Sequence, residues 1–310
     1  MSDELRFDGR VAIVTGAGGG VGRAHAELLA ARGARVVVND FGGGRDGTPT
    51  GPEVDRPASA DAVVAAITEA GGEAVANTAS VADRAGAATL TEQAMDTWGH
   101  LDIVVNNAGI TGKGALEDPD TFERVVETHL FGTANVLRAA LPHLLAQDHG
   151  RVVNTSSSSM WGAGGATDYA SAKGGVFAFT RVLAMDHRAS GVKINAIMPV
   201  AYTRMTAAIP VPSIVDWLEK WFPPEKVAAF AVLLCHEDAP CTGETFIAGG
   251  GRAAHVVFES TTGHFDAQPT PEAFRDHFDE VMAHRDARAP LDGFLDLARW
   301  AEDLPDRGPF

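Results

Sequence analysis

Short runs of Val, Ile and Ala alternate along the chain with longer Ala- and Leu-rich segments. The runs are Val11–Val14, Arg35–Asn39, Ala74–Asn77, Ile103–Asn106, Arg151–Thr155, Lys193–Ile197 and Thr245–Ala248. Each has strand length and an apolar centre, as a strand buried on both faces requires. The segments between them are long enough for crossover helices. This repeated βα pattern predicts one doubly wound α/β domain of about seven parallel strands with helices on both faces.

Two stretches interrupt the rhythm. Residues Gly42–Pro57 are rich in Gly, Pro and Asp and predict a long irregular loop after the second strand. Beyond the last strand, residues 253–310 form an extension with helical patterns at Pro271–Arg285 and Leu291–Leu304. It is too short for an independent domain, so it is expected to pack on residues 1–252 or on a partner subunit.

Composition narrows the functional classes. With 41 Asp and Glu against 25 Lys and Arg, the formal charge of −16 argues against nucleic acid or an anionic membrane as a partner. Residues Met1–Arg6 carry no apolar signal segment, and no apolar run reaches membrane-spanning length, which predicts a cytoplasmic protein. Cys235 and Cys241 have neither disulfide-framework nor zinc spacing, and no His cluster falls at metal-ligand spacing. No metal is expected, and both cysteines read as small buried apolar residues.

Directly after the first strand stands Thr15-Gly16-Ala17-Gly18-Gly19-Gly20-Val21-Gly22, followed by a helical run. Gly16, Gly20 and Gly22 let the backbone turn sharply and approach a pyrophosphate, whose charge faces the amides of the helix start, here near Val21. The context makes the domain Rossmann-type. Asp40 ends the second strand eighteen residues after Gly22. A carboxylate there accepts hydrogen bonds from adenosine ribose hydroxyls and repels a 2′-phosphate, which points to NAD rather than NADP.

In Asp168-Tyr169-Ala170-Ser171-Ala172-Lys173, the four-residue spacing puts Tyr169 and Lys173 on one helical face. A nearby ammonium favours the phenolate form, so Tyr169 is a candidate proton shuttle.

Together these motifs resemble the short-chain dehydrogenase/reductase family: the TGAGGGVG turn, Asn106-Asn107-Ala108-Gly109, Ser156 to Ser159 and YASAK from Tyr169 occur in family order over residues 7 to about 252. The resemblance is closest to the (3R)-hydroxyacyl-CoA dehydrogenase branch of type 2 peroxisomal multifunctional enzymes. It is carried by VVVNDFGG from Val36, Thr128-His129-Leu130-Phe131-Gly132, Leu234-Cys235-His236-Glu237 and Gly243-Glu244-Thr245-Phe246.

The resemblance implies Tyr169 as acid-base and Lys173 as binder of the nicotinamide ribose. It implies a serine as donor to the substrate oxygen: family spacing to the tyrosine points to Ser156, and alignment from the strand end, which is preferred, points to Ser157. Asn107, Ala108 and Gly109 would line the nicotinamide side, Ser80 and Val81 the adenine, and Pro199 and Thr203 the cap over the nicotinamide. His129 stands where most members carry an Asn that orders a relay water; members of this branch share the His, which is read equally as relay or as packed helix residue.

The implied reaction is NAD-dependent interconversion of a (3R)-hydroxyacyl-CoA and its 3-oxoacyl-CoA. The alternatives are a hydroxysteroid or terpenoid alcohol dehydrogenase and, from a different class, a non-catalytic dinucleotide sensor. Lys113, Arg204 and Arg252 are conceivable phosphate partners, and Trp161, Trp217 and Trp221 conceivable pocket, core or subunit contacts. A homodimer or homotetramer, paired through helices starting near Pro119 and Asp168, completes the expectation.

Overall fold

The computed structural model describes residues 4–44, 46, 47, 59–112, 114, 116, 118–162, 164–284 and 287–289. Strands β1 (Val11–Thr15), β2 (Arg35–Asn39), β3 (Glu73–Asn77), β4 (Ile103–Asn106), β5 (Gly150–Thr155), β6 (Val192–Pro199), β7 (Thr245–Gly249) and β8 (Arg252–Val256) form one sheet of order β3-β2-β1-β4-β5-β6-β7-β8. Pairing is parallel from β1 to β7, with Val14 opposite Val38 on one side and Val105 on the other.

Side chains alternate across these strands, so each run feeds two cores. Ala12, Val14, Val36, Val38, Val105 and Val153 belong to one core, with α1 (Gly20–Ala31), α2 (Ala60–Glu69) and α8 (Glu225–Cys235) over them. Val11, Ile13, Val37, Val104, Val152 and Ile194 belong to the other, under α3 (Arg84–Trp98), α5 (Gly132–Ala146) and α6 (Thr167–Asp186). Two covered faces explain why the runs are continuously apolar rather than alternating.

Strand order reverses between β1 and β4. Connections from these two strands leave toward opposite faces, which opens a crevice at the carboxyl ends of the strands. The glycine turn and the Asn106–Gly109 segment both lie at that end. A π-helical turn, Glu127–Phe131, joins α4 (Pro119–Val126) to α5. Between β6 and α8 comes α7 (Pro212–Trp221).

The seven parallel strands expected are β1–β7. Among the described residues an eighth extends the sheet, because Gly250 (φ 61°) and Gly251 (φ 88°) form a tight turn that folds Arg252–Val256 back beside β7. Arg252-Ala253-Ala254-His255 is largely exposed, so it lacks an apolar run that announces a strand. The helix expected over Pro271–Arg285 is two short ones, α9 (Pro271–Asp276) and α10 (Phe278–Val281), interrupted at His277. The expected helix Leu291–Leu304, and most of the loop Gly42–Pro57, lie outside the described residues.

The chain divides into two compact units, one ending at His255 and the other beginning at Val256. In the second, Ser260 and Arg288 exchange backbone hydrogen bonds of 3.0 and 2.9 Å. Cys235 is a buried free thiol, pushed up to about 12 by burial and hence unreactive. Among the described residues, no helix is long and apolar enough to cross a membrane.

Candidate active site

The crevice contains a cavity of about 750 Å³. Its wall includes Gly16, Gly20, Val21, Asp40, Ser80, Val81, Asn107, Ala108, Gly109, His129, Ser157, Tyr169, Lys173, Pro199 and Thr203. Residues drawn from eight separate segments of sequence thus meet at one place. Gly22 stands behind the wall, where a side chain would overlap the Gly16 carbonyl and the Asn107 amide.

The glycine turn is bolted to the end of β4. Asn107 Nδ2 donates to the carbonyls of Thr15 and Gly16, each at 3.0 Å, and Thr15 Oγ1 accepts from the amides of Asn107 and Ala108, also at 3.0 Å. A Cβ on Gly16 would come 2.7 Å from Ala108 Cα. Both donors of the Asn107 amide group are thereby engaged, so only its oxygen is left for a ligand. Asp40 braces the same turn: Oδ2 accepts from Gly18 N at 2.9 Å and Oδ1 from Gly42 N at 2.8 Å. Each oxygen keeps a further lone pair for ribose hydroxyls.

Helix α1 starts at this turn with no side-chain cap on Gly19 and no acid in its first turn. Its free amides and dipole end suit an anion, and a dinucleotide pyrophosphate is the group these residues fit.

At the other end of the cavity, β5 sets the serines. Ser156 is fully buried and donates to the carbonyl of Lys173 at 2.9 Å, away from the cavity. Ser157, on the alternate face, lines the cavity beside Tyr169, and its Oγ accepts from the Ser159 amide at 3.2 Å. Burial holds the Tyr169 phenol above its ordinary value, and the neighbouring Ser157 hydroxyl opposes this.

Lys173, 3% exposed, donates from Nζ to the Thr155 carbonyl at 2.5 Å and lies 5.6 Å from the Tyr169 ring centre. Burial pushes it down to about 7. The expected depression of the phenol by a nearby ammonium is therefore not what dominates here; desolvation of both groups is.

His129 sits in the π-helical turn, where its ring meets Tyr169 edge-on with centres 5.1 Å apart. Its Nε2 lies 3.0 Å from the Ile110 amide and 2.8 Å from the Ile110 carbonyl, and buried Nδ1 has no partner among the described residues. Burial, reinforced by the Lys173 charge, keeps it well below its ordinary value despite the Ile110 bond. The ring is neutral at physiological pH.

Arg204 lines the cavity, Arg252 is exposed on β8 away from it, and Lys113 lies outside the described residues. Trp161, Trp217 and Trp221 are about half exposed and outside the cavity wall. Sequence reasoning missed Arg124, Ile110 and Met205, which line the cavity, because nothing in their local pattern marks them.

It also missed a cluster in the second unit. His264 Nδ1 and His277 Nδ1 contact the two oxygens of Glu280 at 2.7 and 3.0 Å. The two rings stack in parallel, 4.2 Å apart with planes 5° off, so their in-plane lone pairs do not converge on one ion.

A phenol, a hydroxyl donor and a buried lysine beside a dinucleotide-type helix start define an oxidoreductase site on an α/β scaffold. The short chain dehydrogenase family model matches residues 10–210. The chain belongs to the short-chain dehydrogenase/reductase family, whose members bind a nicotinamide dinucleotide, and it is an oxidoreductase acting on alcohol groups of small molecules.

It is 42% identical over 265 residues to a short-chain type dehydrogenase/reductase of Mycobacterium tuberculosis, covering 84% of this chain and 90% of the relative. It is 41% identical over 300 residues to the peroxisomal multifunctional enzyme type 2 of Mus musculus, covering 94% of this chain but only 39% of the mouse enzyme. A solved structure of 7α-hydroxysteroid dehydrogenase, complexed with NADH and 7-oxo glycochenodeoxycholic acid, superposes with a TM-score of 0.70 at 28% identity. It covers 81% of this chain and 97% of that one.

Proposed function

We propose that the chain is an NAD-dependent dehydrogenase that interconverts a (3R)-hydroxyacyl-CoA and the corresponding 3-oxoacyl-CoA. The observation that carries this reading is the convergence of Tyr169, Ser157 and Lys173 on one cavity with Asp40 and the uncapped start of α1. The acyl-CoA assignment is supported by likeness to the mouse multifunctional enzyme along nearly the whole chain. The preference for NAD rests on Asp40, whose carboxylate at the end of β2 repels a 2′-phosphate.

A nicotinamide dinucleotide held by the glycine turn, Asp40 and Lys173 would supply the hydride acceptor for oxidation and the hydride donor for reduction. In oxidation the substrate hydroxyl gives its proton to Tyr169 Oη as its carbon loses hydride, and in reduction Tyr169 returns the proton to the nascent alkoxide. Ser157 Oγ holds the reacting oxygen by hydrogen bonding, strongest when negative charge develops there. Lys173 anchors the cofactor's ribose, and its positive charge, when present, favours the phenolate. Neutral His129 braces Ile110 and the Tyr169 ring.

Homo-oligomerisation is part of the proposal, supported by the exposed apolar Phe131 in the π-helical turn before α5 and Val182 on α6. Light scattering at the monomer mass of 32.4 kDa would remove it.

The test is initial-rate NADH formation with (3R)- and (3S)-hydroxyacyl-CoA thioesters of short, long and steroid-derived chains, against free steroid alcohols. Turnover of the (3R) thioesters is expected. Turnover of free alcohols alone would favour the hydroxysteroid reading, in line with the bile-acid complex of the superposed structure.

A further inference from the structure

Asp168 immediately precedes Tyr169 and is 1% exposed. Among the described residues it forms no ion pair; its partners are two backbone amides. Oδ1 accepts from Tyr169 N at 2.7 Å, and Oδ2 accepts from Gly114 N at 3.3 Å. A carboxylate in the first turn of a helix is ordinarily a solvated group that complements the dipole. Burying one without a cation costs several kcal/mol by the usual desolvation argument, so a second role is called for.

The backbone that reaches Asp168 is shaped for it. Any Cβ on Gly112 would overlap the Asp168 carboxylate. At Gly114 φ is +76°, and a Cβ there would overlap the Gly165 carbonyl. These glycines therefore let the connection after β4 press against the start of α6.

The same connection holds Ile110, whose backbone meets His129 Nε2, and the His129 ring packs edge-on against Tyr169. The contacts close a ring: from the Tyr169 backbone to Asp168, whose carboxylate lies against Gly112, back along the strap to Ile110, through His129, and onto the Tyr169 ring.

We propose that Asp168 is a positioning residue for Tyr169, acting through the strap Ile110–Gly112 and the His129 ring. The proposal rests on Tyr169 being the acid-base. An acid that merely stabilises the helix start would affect folding but would leave the phenol's surroundings and turnover per folded molecule unchanged.

Two readouts on the full chain separate these. The first is spectroscopic titration of the Tyr169 phenol, isolated by subtracting the Tyr169→Phe variant, since the chain has only two tyrosines. The groups facing that phenol are Ser157, Lys173 and His129. Loosening the strap admits water, so Asp168→Ala is expected to lower the titration midpoint toward the ordinary tyrosine value near ~10. Asp168→Asn keeps an acceptor oxygen and is expected to stay near wild type. Gly112→Ala breaks the latch from the other side and should reproduce the Asp168→Ala shift even if that variant folds poorly.

The second readout is turnover. Asp168→Ala is expected to lower kcat by about tenfold to a hundredfold, the cost of a misplaced catalytic group, with cofactor affinity within about twofold of wild type. Combined with His129→Gln, it should lose little more than the worse single variant, because both act through one strap.

An unshifted phenol titration in Asp168→Ala and Gly112→Ala, or additive losses with His129→Gln, would overturn the proposal. Full turnover by Tyr169→Phe would instead overturn the acid-base reading, while the titration would still report whether Asp168 places the phenol.

Discussion

Replacing Lys173 with Met is expected to abolish turnover and yet make the ligand-free protein more stable at pH 7. The lysine is 3% exposed and burial holds it at about 7 against an ordinary 10.5. The unfolded chain therefore binds more protons at this position than the folded one between those values, so this lysine costs stability that is regained as pH rises from about 7 toward 10.5. Linkage gives a cost of ~4 kcal/mol at pH 7 and ~2 kcal/mol at pH 9.

Met fills most of the aliphatic volume but leaves the Thr155 carbonyl without its donor, a loss of ~1–3 kcal/mol. The net gain is then ~1–3 kcal/mol at pH 7, shrinking toward zero at pH 9. Urea unfolding of both proteins at the two pH values reads this directly, and NADH formation reads the loss of turnover. A variant less stable than wild type at pH 7, or a gain independent of pH, would refute the reasoning.

Other expectations follow from single groups. His25 is fully buried, neither ring nitrogen has a partner among the described residues, and burial pushes it down to about 4. Its folded pKa lies below the unfolded 6.5, so the stability it supports is complete above that pH. It is lost as pH falls from 6.5 toward 4, by ~3 kcal/mol in all. His25→Leu should flatten this acid limb in thermal melts. Ser157→Ala should cut kcat/KM by ~10²-fold or more with the fold intact, whereas Ser156→Ala should chiefly lower the melting temperature by removing a buried bond to Lys173; the reverse pattern would exchange their roles. Asp40→Ala should raise KM for NAD and narrow the NAD over NADP preference, because the repulsion of a 2′-phosphate goes while the glycine turn loses its brace; an unchanged preference would contradict the role given to Asp40.

Much of this site was legible because its chemistry sits at strand ends. The runs at β1, β2 and β4 are apolar at every interior position and β5 has Val152-Val153 at its centre, so the sequence alone puts the glycine turn, Asp40, Asn107 and the serines at the ends of strands. The alternation of side chains past Thr155 explains why Ser157 faces the cavity and Ser156 the core.

What stayed hidden depends on packing rather than pattern. Strand β8 carries an exposed sequence, and only the double-glycine turn marks it. The π-helical turn at His129 interrupts no hydrophobic period, so a sequence reading runs straight through it. Asp168 looks like any helix-start acid until the glycines at 112 and 114 are seen to close over it. The electrostatics of Tyr169 and Lys173 were read from spacing as a charge effect, but the structure makes burial the larger influence on each.

The central claim is that Tyr169 moves the proton that accompanies hydride transfer. Steady-state kinetics of Tyr169→Phe on the best (3R)-hydroxyacyl-CoA substrate test it most directly, with cofactor binding measured alongside. The account predicts a fall in kcat of ~10²–10⁴-fold, the usual contribution of a positioned acid-base, with cofactor affinity nearly unchanged. Turnover within about twofold of wild type would contradict it.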